Sequence, residues 1–192
     1  MTFYVIDGMD GVGKDSIADM LVEKLESSGR KVSCYKHPSR STFFGKVAAK
    51  SLLKDGSSQG IIRSVSYFLD LLVSSIRKAG DDADDIIFVR YAMSALYLPK
   101  PISKYLYAIA SFFLPSPDVG ILVDVPADIA MERISSRGDE MEVYENHGKL
   151  MTVRLDMLYV AIRKGWHILD NRNDRKSSAE MLDNILSSKP SF

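Results

Sequence analysis

Residues 3–16 read FYVIDGMDGVGKDS: an apolar run that enters a glycine-rich turn and ends at Gly13-Lys14. Ile17, Met20, Leu21 and Leu25 follow at helical spacing, so the turn opens into an amphipathic helix. Strand, G-x-x-x-x-G-K and helix in that order describe a phosphate-binding loop, the P-loop over residues 8–15. Its glycines, Gly8, Gly11 and Gly13, together with Val12, leave backbone N–H groups free to face an anion. The helix N-terminus adds positive potential, and Lys14 can reach the outer phosphates of a nucleotide. The motif asks for Ser or Thr after the lysine, to set a hydroxyl on Mg²⁺, and this chain has Asp15 there, with Ser16 one place later.

The 192 residues suffice for a sizeable core in one domain. Lys plus Arg and Asp plus Glu are 25 each, so the net charge is zero and no global pull toward nucleic acid or a membrane surface is expected. The single Cys34 has no partner in the chain and fits a reduced compartment. The first residues form a strand rather than a signal-like segment, and the most apolar stretch, Tyr105 to Leu114, is far shorter than the roughly 20 residues of a membrane-spanning helix. Three scattered histidines and one cysteine argue against a structural zinc site. The expectation is a cytoplasmic protein that acts on small molecules, with no nucleic-acid or membrane partner.

Apolar β-rich runs FYVID, KVSCYK, IIFV, VGILVDV and WHILD recur between helical stretches and show little alternation, as strands covered on both faces should. The helical stretches between them include SIADMLVEKLES, STFFGKVAAKSLL, GIIRSVSYFLDLLVSSIRK, YAMSALYL, PISKYLYAIASFFL, PADIAMERISSR, YENHGKLMTVRLDMLYVAIRK and SAEMLDNIL. Gly29 is placed to stop the first helix. Strand–helix alternation predicts an α/β domain with a parallel sheet, right-handed crossovers and helices on both faces. Ligands then gather at the carboxyl ends of the strands, which gives weight to the residues just after each strand.

The succession of motifs resembles the thymidylate kinase branch of the nucleoside monophosphate kinases. The acid inside the loop, Gly8-Met9-Asp10-Gly11-Val12-Gly13-Lys14, is similar to that family's G-x-D-G-x-G-K. Lys36-His37-Pro38-Ser39-Arg40-Ser41-Thr42 with Gly45-Lys46 resembles its R-x-P-x-R-S-T-x-x-G-K; a plainer reading makes Pro38 a turn and Ser41 or Thr42 a helix cap. Val89-Arg90-Tyr91-Ala92-Met93-Ser94 resembles D-R-Y-x-x-S, and Pro117-Asp118 through Arg133 and Arg137-Gly138 resembles the strand and helix that lead into a lid. Tyr144-Glu145-Asn146 resembles the restart of the helix after that lid.

By this resemblance the fold is a three-layer P-loop NTPase domain over residues 1–192, with a five-stranded parallel sheet, an acceptor region over about 36–114 and a short lid at 137–143. The activity it implies is transfer of the ATP γ-phosphoryl group to dTMP. Lys14 would bridge the donor phosphates, Arg90 would orient the acceptor, and Arg133 and Arg137 would close over the transferring group. Asp10, Lys36, Pro38, Arg40, Phe68 and Arg90 would hold the monophosphate. Asn171 and Arg172 would flank the adenine of ATP, Asp15 and Ser16 would hold Mg²⁺, and a homodimer would pair helices around Val65–Val73 and Tyr105–Leu114.

Three positions depart from the family pattern. Asp15 stands for the metal-binding hydroxyl, Val89 for the aspartate of D-R-Y, and Leu72 for an arginine four residues after the thymine-stacking aromatic. The lid, Asp139-Glu140-Met141-Glu142-Val143, is acidic, and Gly11 occupies the loop position that can carry a catalytic arginine. Two readings stay open: one carboxylate has moved from 89 to 15 and catalysis persists, or the fold persists as a nucleotide binder with weakened turnover. A third keeps the kinase and changes the acceptor.

Overall fold

The computed structural model describes residues 1–39, 42–52, 57–100, 102–136 and 147–188. Arg40, Arg137, the expected lid and Tyr144-Glu145-Asn146 lie outside the described residues. All five sheet strands fall on the apolar runs: β1 (Thr2–Asp7), β2 (Val32–Lys36), β3 (Asp85–Val89), β4 (Val119–Asp124) and β5 (His167–Asp170). They form a parallel sheet in the order β2-β3-β1-β4-β5. The first strand thus lies at the centre, and the order changes direction beside it. That places the turn after β1 where an open α/β sheet binds its ligand.

The crossovers run through α1 (Lys14–Ser27), α2 (Phe43–Leu52), α3 (Ser57–Ala79), α4 (Ile102–Phe113), α5 (Ala127–Ser136) and α6 (His147–Lys164), and α7 (Arg175–Ser187) follows β5. The stretch YAMSALYL, read as helical, is a short 3₁₀ turn over Ala92–Tyr97. Its backbone starts from a left-handed Arg90, with φ 66°, and an extended Tyr91, which gives little room for a regular α-helical start. After α1 the chain turns through Gly29 in the left-handed region, φ 80°, where the sequence placed the stop.

Alternation within β1 and β3 feeds two cores. Phe3, Val5, Ile86 and Phe88 pack with Leu71 of α3 and Ala110 of α4. Tyr4, Ile6, Ile87 and Val89 pack with Ile17 and Leu21 of α1. Both faces of the central strands are therefore dry, which is why their sequences show continuous apolar runs. On α4, Ile102, Tyr105, Ile109 and Phe112 form an exposed stripe at helical spacing, and Phe112 is 82% exposed.

β4 carries Gly120 because the Trp166 ring lies directly against its Cα, and a Cβ there would overlap the ring. Gly120→Ala is expected to destabilise the fold by about 1–3 kcal/mol through overpacking. Calorimetry should show a melting temperature lower by about 2–4 °C per kcal/mol.

Candidate active site

The chain leaves β1 at Asp7 and winds over the carboxyl end of the sheet through Gly8–Gly13 before α1 begins at Lys14. Gly11 has φ 81°, a conformation open to glycine, and a Cβ there would run into the Ala130 carbonyl of α5. This backbone has no room for an arginine at position 11. Gly13 is the N-cap of α1, at φ 88°, and abuts the Asn171 side chain.

Three charged groups meet inside this turn. Asp10 is buried, and Arg90 donates to its carboxylate. Lys14 Nζ lies 3.6 Å from Asp10 Oδ1 and donates to the Met9 carbonyl at 2.6 Å. The Asp10 N–H donates to the Tyr97 hydroxyl at 2.6 Å, so the 3₁₀ turn closes one wall. Burial alone would raise the Asp10 carboxyl, but the Arg90 and Lys14 cations outweigh it and hold it well below the usual carboxylate range. Lys14 moves in the opposite sense for its class: burial, with the Arg90 cation adding to it, pushes its ammonium down to about 8. An anion arriving at the loop would relieve both causes.

Arg90 reaches Asp10 because its backbone is left-handed, which costs a non-glycine residue roughly 1–2 kcal/mol. The chain holds it there. The Arg90 N–H donates to the Ile6 carbonyl at 2.9 Å, and the next N–H, of Tyr91, donates to Asp7 at 2.9 Å. Asp7 itself is wholly buried, and burial raises its carboxyl.

The departures from the family pattern have local partners. Asp15 points outward, 61% exposed at its side chain, with its carboxylate 3.7 Å from Lys36 Nζ. Lys36, expected at the acceptor, also pairs with Asp19 at 2.8 Å. The first turn of α1 therefore carries its extra carboxylate beside a cation from the end of β2. Val89 is buried, opposite Ile6 in the sheet. Leu72 and Phe68 pack into the apolar core between α3 and α4, where Phe68 meets Phe113 edge-on at 6.4 Å. The neighbouring Tyr67 is the aromatic turned toward Arg90's turn, with its hydroxyl 3.0 Å from the Ser94 hydroxyl.

Asn171 acts as a hub. Its amide donates to the Val12 carbonyl at 2.7 Å, its side-chain oxygen accepts from Ser178 at 2.7 Å, and its carbonyl accepts from Arg133 at 2.8 Å. Arg133 thus reaches the rim of the loop from α5. Arg172, just past β5, turns back to Asp170 at the strand's end, at 2.5 Å. Pro38 belongs to a loop pinned by buried Asp70 of α3, which accepts from the Ser39 N–H at 2.8 Å, from Thr42, and pairs with His37 at 3.0 Å. These three partners outweigh the burial of Asp70 and keep its carboxyl low.

Sequence reading passed over Asp7, Asp70 and Tyr97. A signal existed for the first two: each is a lone carboxylate in an otherwise apolar stretch, and a buried charge is kept only with partners. Nothing in the sequence marks Tyr97.

A family model described as Thymidylate kinase matches residues 6–181. A probable thymidylate kinase of Metallosphaera sedula is 29% identical over 197 residues, spanning 100% of this chain and 97% of that relative. A thymidylate kinase of Rhodopirellula baltica is 28% identical over 146 residues, which span 71% of this chain and 60% of the relative. The solved structure of a thymidylate kinase from Candida albicans superimposes with a TM-score of 0.73 at 22% identity, covering 96% of this chain and 90% of its own. That likeness is one of fold: the same parallel sheet with helices around it.

Burial holds the Lys14 ammonium at about 8, so a nucleotide phosphate seated on its charged form above pH 8 would bring a proton with it. ATP affinity is expected to fall as the pH rises past about 8, by at most about tenfold per unit. Titration calorimetry at pH 8.5 in buffers of different ionisation enthalpy should register proton uptake, and Lys14→Arg should abolish it.

Proposed function

This chain belongs to the thymidylate kinase family, and from that membership we propose that it transfers the γ-phosphoryl group of ATP to the phosphate of dTMP, giving ADP and dTDP. The observation that carries this reading is the meeting of Lys14 and Arg90 on one buried carboxylate, Asp10. A donor-phosphate lysine and an acceptor-phosphate arginine around a common anchor are the arrangement an in-line transfer needs, because phosphoryl transfer depends on positioning and on charge. Members of this family use ATP as donor, and the chain is a phosphotransferase by the same membership.

In this reading the N–H groups of Gly11, Val12 and Gly13 cradle the donor phosphates and Lys14 spans their outer oxygens, while the Gly8 N–H, expected to join them, is taken up by Asp7. Arg90 presents its planar fork to the acceptor phosphate, while Asp10 accepts from the acceptor sugar. Arg133, on the rim, and Arg137 supply charge as the transferring group passes. Asn171 steadies the loop from beneath the adenine, with Arg172 beside it. Lys36, Pro38 and Phe68 are assigned to the monophosphate, with Arg40 by the family resemblance, and Tyr67 stands beside Phe68 with its hydroxyl at Ser94. Residues 137–143 act as the lid, and the whole chain works as one kinase domain.

Among the described residues no group of three metal-ligating side chains forms a ready cage. Mg²⁺ rarely needs one, since it keeps waters and rides on nucleotide phosphates with one or two protein oxygens. Asp15 and Ser16, exposed at the start of α1, fit that role and would hold it. When bound, the ion neutralises phosphate charge. Lys36 offsets part of the repulsion between Asp15 and the nucleotide.

No helix among the described residues is long and apolar enough to cross a membrane. A cytoplasmic nucleotide kinase, without nucleic-acid or membrane partners, is the setting proposed. The exposed stripe of α4, with Val65 and Ile76 of α3, supports a homodimer. Sedimentation should then give a dimer for the natural chain and a monomer for Phe112→Glu.

The decisive measurement is coupled ADP release with ATP and Mg²⁺ across a panel of monophosphates. Turnover is expected with dTMP, and Arg90→Ala should lower kcat/KM by about 10²-fold or more, or ~2.7 kcal/mol. Turnover with another monophosphate alone would replace the acceptor; retained ATP binding with no turnover would make the chain a nucleotide binder.

A further inference from the structure

We propose that Asp7 is a positioning residue: it sets the distance between the donor-phosphate loop and Arg90 by clamping both backbones with one carboxylate. The inference rests on the reading of Arg90 as the acceptor-phosphate ligand.

Asp7 ends β1, the central strand, and its two oxygens go to different segments. Oδ1 accepts the Gly8 N–H at 2.9 Å, at the entry to the phosphate loop. Oδ2 accepts the Tyr91 N–H at 2.9 Å, on the residue after Arg90. The β1–β3 register pairs Ile6 with Val89, so Asp7 and Arg90 are the first residues beyond that register, side by side. Asp7 stays paired with Leu122 of β4, and on the β3 side its side chain extends the link between the strands. With the Arg90 N–H on the Ile6 carbonyl, the Tyr91–Asp7 bond fixes the peptide on each side of the left-handed Arg90.

That conformation is what turns the guanidinium back toward Asp10. A left-handed arginine relaxes toward an ordinary extended backbone unless its flanking peptides are held, and the relaxed chain carries its side chain away from the loop. Asp7 has no route to substrate, being wholly buried. Its effect therefore passes through Arg90 on one side and Gly8 on the other, where a displacement of about 1 Å can cost about 10²-fold in rate. The departure Val89 sharpens the point: without an acid at position 89, Asp7 is the carboxylate that holds the backbone after β3, while Asp10 takes the Arg90 guanidinium.

The test is a double-mutant cycle on dTMP binding by titration calorimetry, with ATP binding measured alongside. Asp7→Ala should weaken dTMP binding about tenfold or more in the natural chain and less than about twofold when Arg90→Ala is already present. ATP affinity, which Asp7 reaches only through Gly8, should fall by less than dTMP affinity does. An equal penalty in both backgrounds, or a larger loss of ATP than of dTMP binding, would overturn the proposal.

Hydrogen exchange of the Tyr91 amide supplies a readout that needs no turnover. It should be protected in the natural chain and released in Asp7→Ala; an amide that already exchanges at open-loop rates in the natural chain overturns the clamp, even where the variant fails to fold. Failure of dTMP to bind the natural chain at all, with Tyr91 protected, instead removes the assigned acceptor and leaves the clamp standing.

Discussion

A buried carboxylate between a buried lysine and a half-buried arginine organises this molecule. Asp10, Lys14 and Arg90 come from a loop, the first residue of a helix and the end of a distant strand, and none could be buried alone without a large desolvation cost. Together they are compatible with burial, and each constrains the others. Arg90 must take a left-handed backbone to arrive, Lys14 must fold back over Met9, and Asp10 must turn inward to meet both. The central position of β1 follows from the same demand, since only there can its loop face the ends of β3 and β4 together.

The electrostatics suit a site that waits for phosphate. Asp10 remains charged far into acid, while Lys14 is poised near 8 by burial and by its neighbour Arg90. Phosphate oxygens would take over the role that Asp10 fills alone, adding negative charge where the protein holds two cations on one anion. Around this centre the unusual residues have been given partners rather than left as defects. Asp15 faces Lys36, and Val89 fits the dry sheet while Asp7 serves the strand end.

Much of the site was legible before any coordinates. The apolar run into Gly8–Lys14 states a strand, a phosphate loop and a helix, because glycine spacing and the change in hydrophobic period are local properties. Asp10 and Arg90 could be singled out by their motifs. The sequence could not show that they touch, for 80 residues separate them and the bond depends on strand order. It placed the stacking aromatic at Phe68 but could not show where that ring points: adjacent helix positions point about 100° apart, and packing turns Phe68 to Phe113 and Tyr67 to Ser94. Asn171 was marked for its place after β5, but its threefold role as a brace appears only when α5, α7 and the loop converge on it.

By itself, then, the sequence determined the α/β class, the five strands, the phosphate loop and the kinship that its motifs carry, since all of these are written in short-range pattern. Tertiary structure alone decided which charges are buried together, where the extra carboxylate of Asp15 points, and that Asp7 holds the turn of Arg90. The physical reason is that burial and pairing are properties of surfaces brought together from far along the chain. A residue's chemistry is local, but its environment, and with it its charge, its reach and its task, is set by the fold.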